Sequence, residues 1–490
     1  MSKRVLAFDL GASGGRAVIV SFDGTSLSCE EVHRFPNDPV MVRGTYYWDV
    51  LRLFHEIKQG LVKAKRLGDF GSVAINTWGV DFGLLDENGE LLQNPVHYRD
   101  TRTQGMVEES EKFISNKDLY LKTGNQIMEI NTAFQLLAIK QKQPELFARA
   151  KRLLFMPDLL AYFLTGNQVS EYSIATTSQL FDQQKGEWNY EVIDAFGFDR
   201  ELFAPVIRSG KAIGRLSDEI CEDLGLKNVP VIAVCGHDTQ DAVAAVPTDS
   251  KDFAFLSCGT WSLLGTERMK PVINDTTAEL NLTNEGGFGG TTTVLNNIVG
   301  LWLIQECKRQ WELEGKDYSF DDLERMAREA EDLGCMIDPD DKEFAVAGDI
   351  PSRIRTYCAM RGQSVPDSDG DVVRCIYESL ALKYAWTLEK LREVASASFD
   401  TLYIVGGGAK DSVLCQMAAD CCNMKVMAGP VEATVYGNAA IQLIALGEID
   451  SISKARAMIK QAAAVKSYEP DAAKAEAFAQ KKEDFKELLG

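Results

Sequence analysis

The chain has 490 residues, of which 45% are hydrophobic and 25% charged, with a formal net charge of −20. Single hydrophobic cores stop growing at about 250–300 residues, so two large domains are expected, and this composition excludes a disordered polymer. The acidic balance and the lack of any cluster of Lys and Arg exclude a nucleic-acid-binding surface.

At the amino terminus, Met1-Ser2-Lys3-Arg4 runs into Val5-Leu6-Ala7-Phe8, and Asp9 interrupts before a signal-peptide core is complete. No apolar run reaches membrane-spanning length, so no membrane partner is expected. Eleven Cys are scattered without a CxxC pair and the four His are far apart, which argues against a zinc site and suits reduced thiols in the cytoplasm. Cys358 and Cys375 flank a Gly/Ser/Asp-rich segment and are the one pair whose bridging depends on how close their Cα atoms come.

In chain order, Arg4 to Phe22 reads as strand, Gly turn, strand, and Asp23-Gly24 turns into a third strand, Ser28 to Phe35. An amphipathic helix is predicted over Val50 to Arg66, a strand over Ser72 to Thr77, and a hairpin across Asp86-Glu87-Asn88-Gly89. Residues 101–197 are mainly helical, with a short apolar stretch at Leu153 to Phe155 and Pro157 as a helix-start residue, and read as a cap inserted on the first lobe. A strand at Val231 to Cys235 is followed by Gly236-His237-Asp238-Thr239 and a helix through Ala245, after which Pro247 to Lys251 breaks the pattern.

Phe253 to Thr266 again reads strand, Gly turn, strand. Ala7-Phe8-Asp9-Leu10-Gly11-Ala12-Ser13 and Phe255-Leu256-Ser257-Cys258-Gly259-Thr260-Trp261 each deliver a Gly and a hydroxyl to a hairpin, one in each half of the chain. Such an echo suggests a duplicated lobe with a nucleotide held between the copies, although two unrelated hairpins explain the short stretches equally. Helices are predicted at Asn296 to Trp311, Asp371 to Val394, Asp411 to Asn423 and Val435 to Leu446, with strands at Thr401 to Val405 and Lys425 to Ala428. Ser451 to Leu489 reads as helical with a solvated face.

The residues therefore divide into a lobe at 1–247 with a helical insertion at about 101–197, a lobe at 248–450, and a helical segment at 451–490. Strands mixed with helices imply an α/β fold class in two lobes.

Asp9-Leu10-Gly11-Ala12-Ser13-Gly14-Gly15-Arg16 places glycines where backbone must approach something closely, and turn amides of this kind can cradle phosphate oxygens. Arg16 supplies a charged donor, and Asp9 is a candidate to organise hydrated Mg²⁺. A Gly-rich hairpin with a turn-capping Asp accounts for the same residues, and neither a Walker A loop nor a GxGxxG fingerprint is present. Asp238, between a strand and a helix, is the candidate general base: a sugar hydroxyl attacking phosphorus must lose its proton, and a carboxylate within reach accepts it. Capping of the following helix is its structural alternative.

Trp78, Asp81 and Gly83, within Asn76-Thr77-Trp78-Gly79-Val80-Asp81-Phe82-Gly83, offer the aromatic face, hydroxyl partner and close backbone that a sugar site uses, and plain core packing is the competing reading. Thr260 is placed to touch terminal phosphates. Asn297 and Gln305 are placed on one face of a common helix, and the Gly406-Gly407-Gly408 turn suits the passage of an adenosine or ordinary turn chemistry.

Together the segments FDLGASGGR, EVHRFPN, INTWGVDFGLLDENG, HYRDTRT, GHDTQDAVAAVP, FLSCGTWSLLG, NLTNEGGFGGTTTVLNNIVGLWLIQECKRQW and VGGGAKDSVLCQMAAD resemble the FGGY carbohydrate kinase family over roughly residues 4–450. The resemblance implies a two-lobed, ribonuclease H-like (actin-like ATPase) fold with an active-site cleft between the lobes, and transfer of the γ-phosphate of ATP to the 1-hydroxyl of L-rhamnulose, with Mg²⁺, as a step of L-rhamnose breakdown. It implies Asp238 as proton acceptor. Ser13, Gly14, Gly15, Arg16, Ala17, Thr260, Gln305 and Gly407 match nucleotide contacts, beside Gly11, and Gly83, His237, Thr239 and Asn297 match sugar-side contacts. Cys358 and Cys375 fall where some relatives pair cysteines. Gly14 stands where relatives commonly carry a second Ser, which removes one hydroxyl from the phosphate side.

A kinase of the same fold for L-fuculose, L-ribulose or D-xylulose is the nearest alternative, and an actin-like ATPase motor or chaperone is the alternative of another class. The expected partners are a ketose and ATP, in a monomer or weak homodimer.

Overall fold

The computed structural model describes residues 3–489. The chain packs as two compact units: residues up to Asp249 with Glu267–Val294 and Ala433–Ala462 in the first, and Ser250–Thr266, Leu295–Glu432 and the residues from Ala463 onward in the second. The segments 267–294 and 433–462, which the linear division assigns outside the first lobe, thus group with the first unit.

In the first unit, Lys3–Gly11 pairs antiparallel with Gly14–Phe22, which pairs with Leu27–Pro36. The other edge of Lys3–Gly11 pairs in parallel with Val73–Thr77, and Pro230–Ile232 and the antiparallel edge strand Ala212–Arg215 complete the sheet. Val5, Leu6, Ala7 and Phe8 are all fully buried, the continuous apolar run expected of a central strand covered on both faces. Helix Val50–Arg66 packs against it, and a Cβ at Gly60 would lie 2.6 Å from the Phe8 ring and 2.9 Å from Ala17, so that position lets helix and sheet approach. The helix is capped by Asp49, which accepts from the Arg52 amide, and ends in Lys63, Lys65 and Arg66, where cations complement its dipole.

The insertion does form helices, including Asn116–Thr123, Thr132–Lys142 and Met156–Thr165, around a core of Phe134, Leu137, Phe155, Phe181 and Trp188. The Asp86 turn forms with the Asp86 carboxylate accepting from the Asn88 and Glu90 amides. Yet the ladder partner of Phe82–Leu85 is Arg152–Phe155, far along the chain, because both stretches are apolar and together enter the insertion core.

The other large sheet runs in the order Thr283–Gly286, Thr292–Val299, Trp261–Arg268, Ala254–Cys258, Thr401–Val405, Lys425–Ala428, Lys466–Tyr468. The antiparallel pair Ala254–Cys258 and Trp261–Arg268, the two parallel additions and the antiparallel edge follow the order of the first sheet, with Thr283–Gly286 as an extra strand. This order, rather than the short hairpin similarity, is the observation that favours duplication.

Two predicted elements differ. Asn296 to Trp311 is a strand, Thr292–Val299, followed by helix Trp302–Leu313. The β-branched Thr292-Thr293-Val294 run favours a pleated ladder, and Gly300 marks the junction, where a Cβ would lie 2.7 Å from the Ser262 amide. Asn297 and Gln305 therefore share no helix. The final segment is broken by Lys466–Tyr468, which pairs with Lys425–Ala428, between helices Ile452–Ala462 and Ala472–Leu489. No helix among the described residues is long and apolar enough to cross a membrane.

Helix Ala433–Ala445 lies so tightly on helix Asp238–Ala244 that a Cβ at Gly437 would come within 1.9 Å of the Asp241 carbonyl. Gly437→Ala must push the two helices apart, an overpacking cost of about 1–3 kcal/mol read as a lowered urea midpoint with unchanged slope.

Candidate active site

The junction Gly236-His237-Asp238 begins at a parallel strand end. Thr77 bridges His237, and the Thr77 amide donates to the Gly236 carbonyl at 2.9 Å. Two buried carboxylates hold the turn. Glu171 accepts from the Gly236 amide at 2.8 Å, while Asp241 accepts from the Cys235 amide at 3.0 Å and from Asn76 Nδ2 at 2.6 Å. Burial pushes both carboxyls above the usual carboxylate range against these hydrogen bonds.

Asp238 is the first residue of helix Asp238–Ala244, whose N-cap is His237, so its carboxylate is not spent as the cap. Its side chain keeps 28% of its surface exposed and accepts from Thr239 Oγ1 at 3.3 Å. Burial pushes the Asp238 carboxyl up to about 6; the His237 charge opposes the rise and Asp9 adds to it. A carboxylate tuned to this range is still ionised at neutral pH and is a better proton acceptor than an ordinary one.

His237 is held on both sides. Its main-chain amide donates to Ser173 Oγ at 3.2 Å, its Nδ1 lies 2.9 Å from Glu285 Oε2, and its Nε2 lies 3.6 Å from Asp238 Oδ1. Gln240 Nε2 donates to the same Glu285 oxygen at 3.0 Å and to Thr293 Oγ1. Burial pulls the imidazole down, but the Glu285 contact and the Asp238 charge outweigh it and leave His237 above its ordinary value.

At the neighbouring strand end, Asp9 Oδ2 accepts from Arg16 Nη2 at 2.8 Å and Nε at 3.0 Å, directly across the ladder. Gly11 and Gly14 close the hairpin around Ala12 and Ser13, and Asn37 Nδ2 anchors the Gly11 carbonyl at 2.9 Å. A Cβ at Gly15 would strike the Phe35 ring at 2.3 Å, so close packing demands that glycine. Ala17 is fully buried in the ladder, a core position rather than part of the exposed turn. The half-buried Asp9 and Asp238 carboxylates, each feeling the other's charge, are hard oxygen donors of the kind Mg²⁺ takes, and the donor set fits that ion.

Trp78, Asp81 and Gly83 are all buried. Asp81 is fully buried and saturated: Oδ2 accepts from Trp78 Nε1 at 2.9 Å, Trp48 Nε1 at 2.5 Å and the Tyr98 amide, and Oδ1 accepts from Gln135. Its lone pairs serve the aromatic cluster of Trp48, Trp78 and His97 instead of a hydroxyl. Gly83 packs into the core, where a Cβ would meet Leu159 at 2.7 Å.

In the second unit, the parallel strands Ala254–Cys258 and Thr401–Val405 end side by side, in register Ser257 with Val405. Thr260 Oγ1 donates to Gln305 Oε1 at 3.3 Å, and its carbonyl takes the Gly300 and Trp302 amides, tying the hairpin to the start of helix Trp302–Leu313. Gly406 has φ +83° and passes 3.1 Å, measured from a built Cβ, from the Cys258 carbonyl. A Cβ at the exposed Gly407 would meet nothing within 4 Å, which leaves its backbone open to a planar ligand. Ligands in open α/β sheets bind beyond the carboxyl ends of the strands, where these residues and Asp238 lie.

Sequence reasoning missed Glu171, Glu285, Gln240 and Asp241. Gln240 and Asp241 follow Asp238 closely and are visible as polar residues in a small-residue helix. Glu285 and Glu171 are distant in sequence, and no spacing marks them.

Duplicated sheets with glycine hairpins and a tuned carboxylate at the strand ends define a two-domain α/β phosphotransferase of the actin-like ATPase type. The fold is shared with a ligand-bound xylulose kinase from Lactobacillus acidophilus, at TM-score 0.81 and 16% identity, covering 99% of this chain and 97% of that one. Residues 4–245 match the model of the FGGY family of carbohydrate kinases, N-terminal domain, and residues 254–446 that of the C-terminal domain. The chain belongs to the FGGY family of carbohydrate kinases. It is 42% identical over 471 residues to a rhamnulokinase of Bacteroides thetaiotaomicron, covering 96% of each chain, and 39% identical to one of Oceanobacillus iheyensis over 93% of this chain and 96% of the other.

Glu285→Gln removes the charge that offsets the burial of His237. In an NMR titration the His237 pKa should fall from above its ordinary 6.5 to below it.

Proposed function

We propose that the chain transfers the γ-phosphate of ATP to the 1-hydroxyl of L-rhamnulose, yielding L-rhamnulose 1-phosphate and ADP. The observation that carries this reading is Asp238: a carboxylate left out of the helix cap, exposed on one side and pushed up to about 6, beside an oriented imidazole. The names of relatives matched over nearly the whole chain supply the sugar.

Asp238 accepts the proton of the 1-hydroxyl as that oxygen attacks phosphorus, and His237, fixed by Glu285, donates to a sugar oxygen and holds the hydroxyl in line. Thr239 and Asn297 supply further sugar contacts. Gly11, Ser13, Gly14, Gly15 and Arg16 bind phosphates through turn amides and a guanidinium, and Thr260, Gln305 and Gly407 bind nucleotide. Trp78, Asp81 and Gly83 serve as packing that keeps the strand after Thr77 in place. Asp9 would hold hydrated Mg²⁺, which would offset charge on the phosphates. The setting is the cytoplasm, consistent with eleven cysteines outside any disulfide.

ADP release measured over L-rhamnulose, L-fuculose, L-ribulose and D-xylulose should be fastest with L-rhamnulose; faster turnover of another ketose refutes the specificity, and hydrolysis indifferent to sugar refutes the kinase role. Asp238→Asn should lose about 10²–10⁴ in kcat while remaining folded. Because the base works only when ionised, kcat/KM should rise with pH through about 6 and level off above it, and this limb should vanish in the Asn variant.

A further inference from the structure

Cys358 and Cys375, the pair singled out in the sequence, come together with a third cysteine, Cys335, in the second unit. Cys335 lies on the segment after helix Phe320–Glu329, Cys358 on helix Ile350–Met360 and Cys375 on helix Asp369–Ala395. Their sulfurs all lie within 4.8 Å of one another, and the residues are 5%, 0% and 2% exposed.

Hydrogen bonds outside the cluster hold this convergence. The Cys358 carbonyl accepts from the Gln363 amide at 3.0 Å, and the Gln363 side chain then clamps the Met336 backbone twice, accepting from its amide at 2.7 Å and donating to its carbonyl at 3.0 Å. On the other side the Ile337 amide donates to Ser379 Oγ at 3.0 Å, and that hydroxyl donates to the Cys375 carbonyl at 2.6 Å. The segment carrying Cys335 is thus bolted to both helices that carry the other two thiols. Three sulfurs are presented without any bond among them being needed to hold the elements.

We propose that Cys335, Cys358 and Cys375 form a three-thiolate site for a soft d¹⁰ cation, Cu(I) or Zn(II). Thiolates select these ions over the hard dications that serve the phosphates. Metal–sulfur bonds of about 2.3 Å bring sulfurs to within about 4 Å of one another, a small contraction of the observed cluster. As each S–metal bond forms, an S–H bond breaks and its proton passes to water, so loading releases protons and changes no oxidation state. Arg361, three residues beyond Cys358 and stacked 3.5 Å over the Tyr357 ring, brings a cation that offsets part of the trithiolate charge. Cu(I) is content with three sulfurs, whereas Zn(II) wants a fourth ligand and the cluster holds no His or carboxylate. The filled site ties two helices and a loop of the second unit together, and none of its three residues is assigned to phosphoryl transfer.

The full-length chain, purified anaerobically with its thiols reduced, is dialysed in parallel against Zn(II) alone and against Cu(I) supplied with a competing chelator, and retained metal is measured by mass spectrometry. We expect about one ion per chain in at least one arm, a raised melting temperature, and a loss of affinity of about 10-fold or more in Cys335→Ala. The arm that loads tells whether three sulfurs suffice. ADP release by Cys335→Ala should equal that of the parent chain, which separates this site from the kinase reading. Should that variant not fold, the parent chain is labelled with iodoacetamide with and without the ion and mapped by peptide: protection of these three thiols supports the site, and labelling indifferent to the ion overturns it. Retention of neither ion, equal retention by Cys335→Ala, or an intact mass lacking two hydrogens with Cys358 joined to Cys375 likewise overturns the proposal.

Discussion

A buried carboxylate fixes where the chemistry can happen. Asp241 is fully buried, and its two oxygens take the Cys235 amide and the Asn76 side chain, one from the incoming strand end and one from the neighbouring strand. A charge-capable group in such surroundings persists only if every partner stays in place, because leaving it unsatisfied costs several kcal/mol, on the order of 3–5. Helix Asp238–Ala244 is thereby pinned at its first turn, and Gly437 lets a second helix press on its other side. Glu171 repeats the device for the Gly236 amide. Asp238 inherits its position from these contacts and makes few of its own.

The same economy explains the pKa contrasts around the junction. Four buried or half-buried carboxylates, Glu171, Asp238, Asp241 and Glu285, lie near one imidazole, and only Glu285 faces its Nδ1 directly. Asp241 and Glu171 are consumed by main-chain amides, so their oxygens are not available for reaction. Asp238 alone retains exposure together with a raised pKa, which separates the candidate base from its supports.

Much of the architecture was legible in the residues. Strand Lys3–Gly11, helix Val50–Arg66 and strand Thr401–Val405 follow from continuous apolar runs, heptad-like spacing, the Asp49 cap and Gly turns. Asn296 to Val299 was not, since apolar residues around two Asn fit a helix as well as a strand, and only pairing with Trp261–Arg268 resolves it. Trp78 and Asp81 look like sugar-binding chemistry in a string of letters. In three dimensions Trp48 and Gln135, from other segments, take the Asp81 oxygens first.

By itself the sequence determined the α/β class, the echo of glycine hairpins in the two halves, and the carboxylate opening a helix after a strand. These rest on local periodicity and turn chemistry, which neighbouring residues decide. Tertiary structure alone decided that His237 meets Glu285, that the Asp241 carboxylate takes the Cys235 amide, and that Cys335 joins Cys358 and Cys375. Those outcomes depend on which distant groups reach a buried polar atom first, and burial is a property of the packed chain that no stretch of sequence carries.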